Sequence, residues 1–426
     1  MTIEAIYQIF QQYPSVQTDT RKLAAGDIFF ALKGPSFNGN QFAQQALDSG
    51  AAYAVIDEKE YYIDHRTILV KDVLTTLQEL AGHHRDQLNI PVIAITGSNG
   101  KTTTKELVHA VLSSRYRTST TEGNLNNHIG IPLTLLKIKP DAELAVIEMG
   151  ANHQKEIEGY CRYTKPTHGI ITNCGKAHLE GFGGVEGVRK GKGELYDFLR
   201  ASGGTAFVMW DYDYLQSMSK NIKTVVTYGT KDAEVNGTVL KNDPFLEASI
   251  KTKEEEYNVK SQLVGDYNLP NLLVAVIVGR YFNIGSPLIK AAIENYIPSN
   301  SRSQLVEQDG NKIVLDAYNA NPSSMKLAIE NFSKGNTTEK VLMLGAMAEL
   351  GEESLDEHKG IVELINKFPW KAVVLVGGDF LKLSHQYISL PDATAARNWY
   401  LEQKFNNCQL LVKGSRSMKM EKVLGR

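Results

Sequence analysis

Within one short stretch, glycine, lysine and threonine have the spacing that phosphate chemistry needs. In Gly97-Ser98-Asn99-Gly100-Lys101-Thr102, two glycines precede a lysine and a hydroxyl, and Thr103 follows. Glycines let backbone N–H groups approach anionic oxygens, and the N-terminus of a following helix adds positive partial charge. Lys101 would neutralise the β- and γ-phosphates of a nucleotide, and the Thr102 hydroxyl would hold Mg²⁺. The pattern is the short form G-x-x-G-K-T; the commoner spacing needs a glycine at 95, where Ile95 stands. A glycine turn that only joined two core elements would not explain a lysine and three threonines at a helix start.

Other candidates are spread along the chain. Glu148 closes the apolar run ELAVIEM, where a carboxylate could share the ion held by Thr102. His178, Lys190 and Lys192 lie in the run 172–199, the two lysines at the start of a helical pattern whose apolar face is Leu195, Phe198 and Leu199. A lone histidine is more often structural, and such lysines are usually solvated, so residue type alone does not single out Lys192. Arg302 is followed by LDAYNANPSSM, where Asp316 ends a strand, Asn319 and Asn321 are dense in side-chain amide, and Ser323 or Ser324 could cap the next helix. Lys413, Ser415 and Arg416 end the last strand, a place to capture a carboxylate or phosphate. Near the N-terminus, Asp19, Thr20, Arg21, Lys33, Asn38 and Asn40 occupy loops that read equally as ligand contacts or solvated turns.

The elements that must position these groups alternate between strand and helix. Val92–Ile95 is an apolar run too short for a helix, and Leu107, Val108, Val111 and Leu112 repeat at helical spacing after the loop. Strands at 143–149 and 169–173 extend a mostly parallel sheet, whose ligands gather at the C-terminal strand ends. Residues 205–264 change to short strands with turns, expected as a β-rich stretch packed on the sheet edge. A helix over 268–282 is expected to start with Asn268 as its cap. The fold class is therefore α/β with three domains. A small α/β unit spans 1–88, with strands at 27–32 and 53–56 and helices at 41–49 and 74–87. A central P-loop mononucleotide-binding domain with a β-rich edge spans 89–298, and a second doubly wound, Rossmann-like unit spans 299–426. The polar linker Ile297-Pro298-Ser299-Asn300-Ser301 marks the last boundary.

Composition sets the limits. A chain of 426 residues exceeds one core, and 42% hydrophobic with 22% charged residues is ordinary for a globular protein. The net charge of −2 gives no reason to expect nucleic acid or an anionic membrane as partner. Three cysteines without CxxC spacing argue for reduced thiols in the cytoplasm, and no apolar run suits a signal peptide or membrane span.

The motifs GSNGKTTTKE, GNLNNHIGIP, VIEMGAN, TNCGKAHLEGFG, KGKGELY, GDYNLPN, LDAYNANPSSM, LGAMAELGEES and LVKGSR resemble, along nearly the whole chain, those of the Mur ligases. These are ATP-dependent amino-acid ligases of bacterial peptidoglycan precursor synthesis. YNANP and LGAMAELG look like the member that joins D-alanyl-D-alanine to UDP-N-acetylmuramoyl-tripeptide, and the prefix TDTRKLAAGDIFFALKGPSFNG like its UDP-binding domain. The resemblance implies ATP and Mg²⁺ as cofactors, an acyl-phosphate intermediate, a monomer, and a C-terminal domain that closes on the central one. It implies Thr102 and Glu148 as ligands of a first magnesium and His178 of a second. Lys192, followed by Gly-Glu-Leu-Tyr, resembles the family's carbamylated lysine, with Lys190 the competing choice. Asn268 and Asn271 resemble adenine contacts, and Arg302 and Asp316 nucleotide contacts from the last domain. Lys413 and Arg416 resemble a patch near the incoming substrate. Asn124, Asn127, Asn319 and Asn321 become substrate contacts, and Thr20, Arg21, Lys33 and Asn38 the uridine-diphosphate side. Asn40 stands where histidine is common, His128 lies in the Asn-rich loop, and SRSQL replaces a Gly-Arg-Leu pattern. A ligase adding the third peptide residue would carry Asp-Asn-Pro-Arg in its last domain, which does not occur after Arg302. Folylpolyglutamate synthase lacks the uridine-binding prefix.

Overall fold

The computed structural model describes residues 1–299, 301–334, 337 and 339–426, so Asn300 of the expected linker lies outside the described residues. The first unit carries a parallel four-stranded sheet in the order Val16–Gln17, Ile28–Phe30, Tyr53–Ile56, Thr67–Leu69. Its strands are apolar on both faces because both are covered. Phe29, Ala54 and Ile56 pack with Ala43, Ala46 and Leu47. Ile28, Phe30, Val55 and Ile68 join the main core with Leu77 and Leu80 of the helix Val73–Gln87. Asp72 caps that helix, accepting from the Thr75 N–H at 2.7 Å.

This helix belongs to two domains at once. Near its end the buried Arg85 donates to four backbone carbonyls. They are Leu88 O at 2.6 Å, Thr164 O at 3.0 Å, Ile90 O at 3.2 Å and Lys165 O at 3.3 Å. The neighbouring His84 places Nε2 2.9 Å from Ile138 O and Nδ1 3.2 Å from the Tyr7 hydroxyl. The boundary expected at 88 is thus a bolted joint.

The central sheet has nine strands. Its order is Glu256–Lys260, Glu247–Lys251, Val235–Lys241, Thr224–Gly229, Thr205–Met209, His168–Ile171, Val92–Thr96, Leu144–Glu148, Thr118–Thr120. The β-rich stretch stands at one edge of this sheet, as expected, and it does so as a hydrogen-bonded continuation of the same sheet. Tyr228 and Gly229 still pair in parallel with Val235 and Asn236, and only then do two antiparallel strands follow. The sequence pattern missed this because strand alternation reports burial and says nothing of the neighbour. Strand order reverses at the P-loop strand Val92–Thr96, which pairs with Leu144–Glu148 on one side and His168–Ile171 on the other. That reversal opens a crevice at the strand C-termini.

Two expectations about helix starts change. The helix holding Lys190 and Lys192 runs Val185–Ser202, so both lysines lie well inside it. Asn268 makes no side-chain cap for Leu269–Tyr281; it sits in a short 3₁₀ turn and its amide donates to Val264 O at 2.8 Å.

The third unit is a six-stranded sheet ordered Gln304–Gln308, Asn311–Asp316, Gln409–Lys413, Lys340–Gly345, Ala372–Val376, Ile388–Leu390, parallel except for the first hairpin. Its first helix, Pro322–Ser333, is capped by Asn321 rather than by Ser323 or Ser324. Asn321 Oδ1 accepts from Ser324 N at 2.9 Å, and Ser324 Oγ accepts from Asn321 N at 3.1 Å. Ser324 is the reciprocal member of a capping box.

Replacing Arg85 by methionine keeps the apolar stem and removes every one of these donors. Each buried carbonyl left unpaired costs about 1–3 kcal/mol. Urea unfolding followed by fluorescence is expected to show a midpoint clearly below the parent; an unchanged midpoint would mean that the joint contributes nothing.

Candidate active site

The glycine loop is pressed against its surroundings. Gly97 has φ +144°, and a Cβ there would stand 2.0 Å from Thr172 Oγ1. Gly100 has φ +79°, and a Cβ there would stand 2.6 Å from Asn271 Oδ1. Hydrogen bonds seal the contact. Ser98 N–H donates to Asn173 O at 2.9 Å, Ser98 Oγ to Gly175 O at 2.8 Å, and Asn99 N–H to Asn173 Oδ1 at 3.1 Å. In return Thr172 Oγ1 donates to Asn99 O at 2.6 Å. The loop is therefore preshaped before any ligand arrives, which is what anion binding by backbone amides requires.

Lys101 folds back on the loop, its amine donating to Gly97 O at 2.7 Å and Ser98 O at 3.3 Å. Burial lowers its pKa; the nearby Glu148 raises it and Arg302 lowers it further. Thr102 Oγ1 donates to Glu148 Oε2 at 2.8 Å, and Asn126 Nδ2 donates to Glu148 Oε1, also at 2.8 Å. A hydroxyl and a buried carboxylate converging beside a phosphate loop are hard oxygen donors of the kind Mg²⁺ prefers, so this pair fits the ion. Thr103 lines the same cleft. Thr104, Asn271 and Asn268 form a chain: Thr104 Oγ1 donates to Asn271 Oδ1 at 3.0 Å, and Asn271 Nδ2 to Asn268 Oδ1 at 2.8 Å.

Lys192 is fully buried, whereas Lys190 is exposed. Its amine donates to Ala151 O at 3.0 Å and stands 4.8 Å from the centre of the Phe182 ring. Burial first, and the charge of Lys101 second, push its pKa down to about 7. His178 lines the cleft, but none of its described contacts joins it to Thr102 or Glu148. Its Nδ1 meets the Glu349 carboxylate of the third domain. Among the described residues no cluster of three or more His, Cys, Asp and Glu side chains could hold a metal.

The third domain completes the wall. Asn321 Nδ2 donates to Asn99 Oδ1 of the P-loop at 2.7 Å, and Lys176 N–H donates to Ser323 Oγ at 3.0 Å. Arg302 stacks on Tyr318, its guanidinium carbon 3.6 Å from the ring centre. Asp316 accepts from Ser303 N–H at 3.1 Å and pairs with Lys413 at 2.5 Å. Lys413, expected near the incoming substrate, lines the cleft as a buried partner of Asp316. Arg416 is exposed, pairs with Glu421 at 2.9 Å and stands 5.9 Å from the centre of the Tyr318 ring. Asn319 accepts from the adjacent Ala320 N–H at 2.9 Å. The cleft measures about 710 Å³.

Of the Asn-rich loop, Asn126 reaches the site, not Asn124, which is exposed. Asn127 also lines the cleft, and its Oδ1 accepts from the Ile129 and Gly130 N–H groups at 3.1 and 2.9 Å just ahead of the helix Gly130–Leu136. The N-terminal candidates do not line this cleft. Arg21 is held by Asp19, and Lys33 by Asp57 at 3.0 Å and Glu58 at 3.2 Å. Asn38 donates to Glu58 at 2.8 Å, Asn40 is buried against Asp57, and Thr20 sits in a 3₁₀ turn. Sequence reading missed Asn126, Thr172, Asn173, Tyr318 and Glu349. All but Tyr318 act through contacts across chain segments, which no local spacing reports.

Fold and cleft together define a P-loop nucleotide-binding protein flanked by two further α/β units. Three family models match in succession: Mur ligase family, catalytic domain, over residues 12–85; Mur ligase middle domain over 95–279; and Mur ligase, glutamate ligase domain, over 301–416. The UDP-N-acetylmuramoyl-tripeptide–D-alanyl-D-alanine ligases of Bacillus subtilis (strain 168) and Escherichia coli (strain K12) are each 35% identical. Each alignment covers 96% of this chain and 92% of the relative. A crystal structure of MurF from Acinetobacter baumannii matches with a TM-score of 0.88 at 28% identity, covering 98% of this chain and 97% of that one. MurF ligase from Thermotoga maritima in complex with ADP matches with a TM-score of 0.87 at 25% identity, covering 96% of each. The chain belongs to the Mur ligase family.

Gly100→Ala forces a Cβ into the space of the Asn271 amide at a left-handed φ. ADP binding measured by calorimetry is expected to weaken at least about tenfold, roughly 1.4 kcal/mol, with the fold intact by circular dichroism. Parent affinity would show that the close approach is not needed.

Proposed function

We propose that this chain is an ATP-dependent ligase that joins D-alanyl-D-alanine to UDP-N-acetylmuramoyl-tripeptide in peptidoglycan precursor synthesis. The observation that carries it is the P-loop cleft closed by the third domain through Asn99 and Asn321, in a chain similar over nearly its full length to relatives of that name. A carboxylate is a poor electrophile, so one ATP serves to convert the tripeptide carboxylate into an acyl phosphate. A carboxylate oxygen bonds to the γ-phosphorus as the bond to ADP breaks. The dipeptide amine then attacks the acyl carbon, a tetrahedral intermediate forms, phosphate leaves, and the amine loses a proton.

The protein's share of this is positioning and charge. Backbone amides of Gly97–Thr103 and the Lys101 amine hold the phosphates. Asn268, Asn271, Arg302 and Asp316 orient the nucleotide. Thr102 and Glu148 would hold Mg²⁺, which supplies charge neutralisation for the transferring phosphoryl group. Exclusion of water by the docked third domain protects an acyl phosphate from hydrolysis. The first unit is assigned the uridine diphosphate through Thr20, Arg21, Lys33 and Asn38, and the third the dipeptide through Asn319, Asn321 and Arg416. All substrates are water-soluble, and no described helix is long and apolar enough to cross a membrane. That suits a cytoplasmic monomer.

Lys192 is the residue for carbamylation: its neutral amine would add to CO₂, with release of one proton, giving an anion beside the cleft. With a pKa of about 7, the neutral amine gains as pH rises through that value, so carbamate formation is favoured above pH 7 and falls off below it. With ¹³C-bicarbonate, a carbamate resonance is expected in the parent and in Lys190→Ala, growing from pH 6 to 8, and absent in Lys192→Ala. A signal that survives in Lys192→Ala would overturn the assignment. The activity itself is tested by phosphate release, which must need both UDP-N-acetylmuramoyl-tripeptide and D-alanyl-D-alanine. Release without the dipeptide, or transfer to another acceptor, would sink the ligase reading.

A further inference from the structure

The loop after the strand Lys340–Gly345 is anchored at both ends. Ala346 N–H donates to Val376 O at 2.9 Å, and Ser415 Oγ donates to Ala346 O at 2.6 Å. Met347 N–H donates to Nε2 of the buried His358 at 3.0 Å, whose Nδ1 donates to Ser354 O at 2.6 Å. Leu350 is buried, and at Gly351, with φ +58°, a Cβ would stand 3.2 Å from Glu180 Cβ in the central domain. Between these anchors Glu349 projects across the domain interface and brings its carboxylate within ion-pair distance of His178 Nδ1, a buried nitrogen with no hydrogen-bond partner of its own among the described residues.

Both partners sit in left-handed backbone, Glu349 at φ +60° and His178 at φ +52°. That conformation is uncommon for side-chain-bearing residues and costs on the order of 1–2 kcal/mol each. Local strain on two sides of one contact, at the rim of a cleft, marks a contact that the fold is built to make. A second interdomain pair, Lys176 with Glu357, lies nearby and does not touch His178.

We infer that Glu349 is a positioning residue supplied by the third domain: it fixes the ring and tautomer of His178, so that docking of that domain presents Nε2 to the cleft. This rests on the ligase reading and adds to it a means by which domain docking assembles the central site. A carboxylate on the far nitrogen of a functional histidine sets its orientation and basicity, and loss of such a partner typically costs 10–100-fold. It acts through His178 and does not itself meet the substrates.

The test uses the full chain and four variants. At about pH 8, the imidazole ¹⁵N spectrum of the ligand-free protein is expected to show His178 as the Nδ1–H tautomer, the resonance being assigned by its loss in His178→Gln. In Glu349→Ala it is expected to become a tautomer mixture. In the two-substrate assay Glu349→Gln is expected to lower kcat at least about tenfold with KM for ATP little changed. Glu357→Gln, which breaks only the neighbouring pair, is expected to stay within about fivefold. A His178 spectrum identical in the parent and Glu349→Ala, or equal losses in the Glu349 and Glu357 variants, would overturn the inference. The spectrum needs no substrate, so a parent chain inactive as a ligase would fail the functional reading while the contact is still decided.

Discussion

Residues 97–99 are stitched to Thr172 and Asn173 at the end of the neighbouring strand, and the P-loop and the helix that follows it take their place from that seam. The seam needs two positions without a Cβ. At Gly97 the space belongs to the Thr172 hydroxyl, and at Gly100 to the Asn271 amide. The loop then hands its direction to the helix Lys101–Ser113, which sets Thr102 against Glu148, and Glu148 in turn is held by Asn126 and Thr121. Rigidity here comes from short polar contacts between chain segments, because glycine-rich backbone has no side chains of its own to lock it.

The element pattern was largely legible from the sequence. Short apolar runs and helical spacing located the P-loop strand and its helix, Glu148 at its strand end, and the alternating order of the third unit. The neighbour relations were not legible. That Thr205–Met209 and the strands after it are hydrogen-bonded into the central sheet at its edge could not be read, since alternation describes faces and not partners. The same limit hid Asn126: three asparagines crowd residues 124–127, and only the folded turn decides which one meets Glu148. Lys413 looked like a cation awaiting an anion. Its register partner on the adjacent strand is Asp316, and the pairing fell outside any local window.

The two domain junctions are of different physical kinds. The first is a buried arginine spread over four carbonyls, together with apolar packing along a shared helix. Alternative arrangements would leave those carbonyls unpaired in an apolar setting. The second includes side-chain hydrogen bonds and partly exposed ion pairs, among them Asn99 with Asn321 and Lys176 with Glu357. Ala320, Met325 and Ile329 of the third unit also join the main apolar cluster, so this junction mixes replaceable polar contacts with apolar packing.

The Arg85 joint also makes the molecule a gauge. Because the first unit and the P-loop are held in one frame, a ligand anchored on the first and reacting at the second meets a fixed span. A molecule too short cannot bring its reactive end to the phosphates, and one too long must buckle. Discrimination by reach needs no contact with the intervening atoms, and it is as sharp as the joint is stiff.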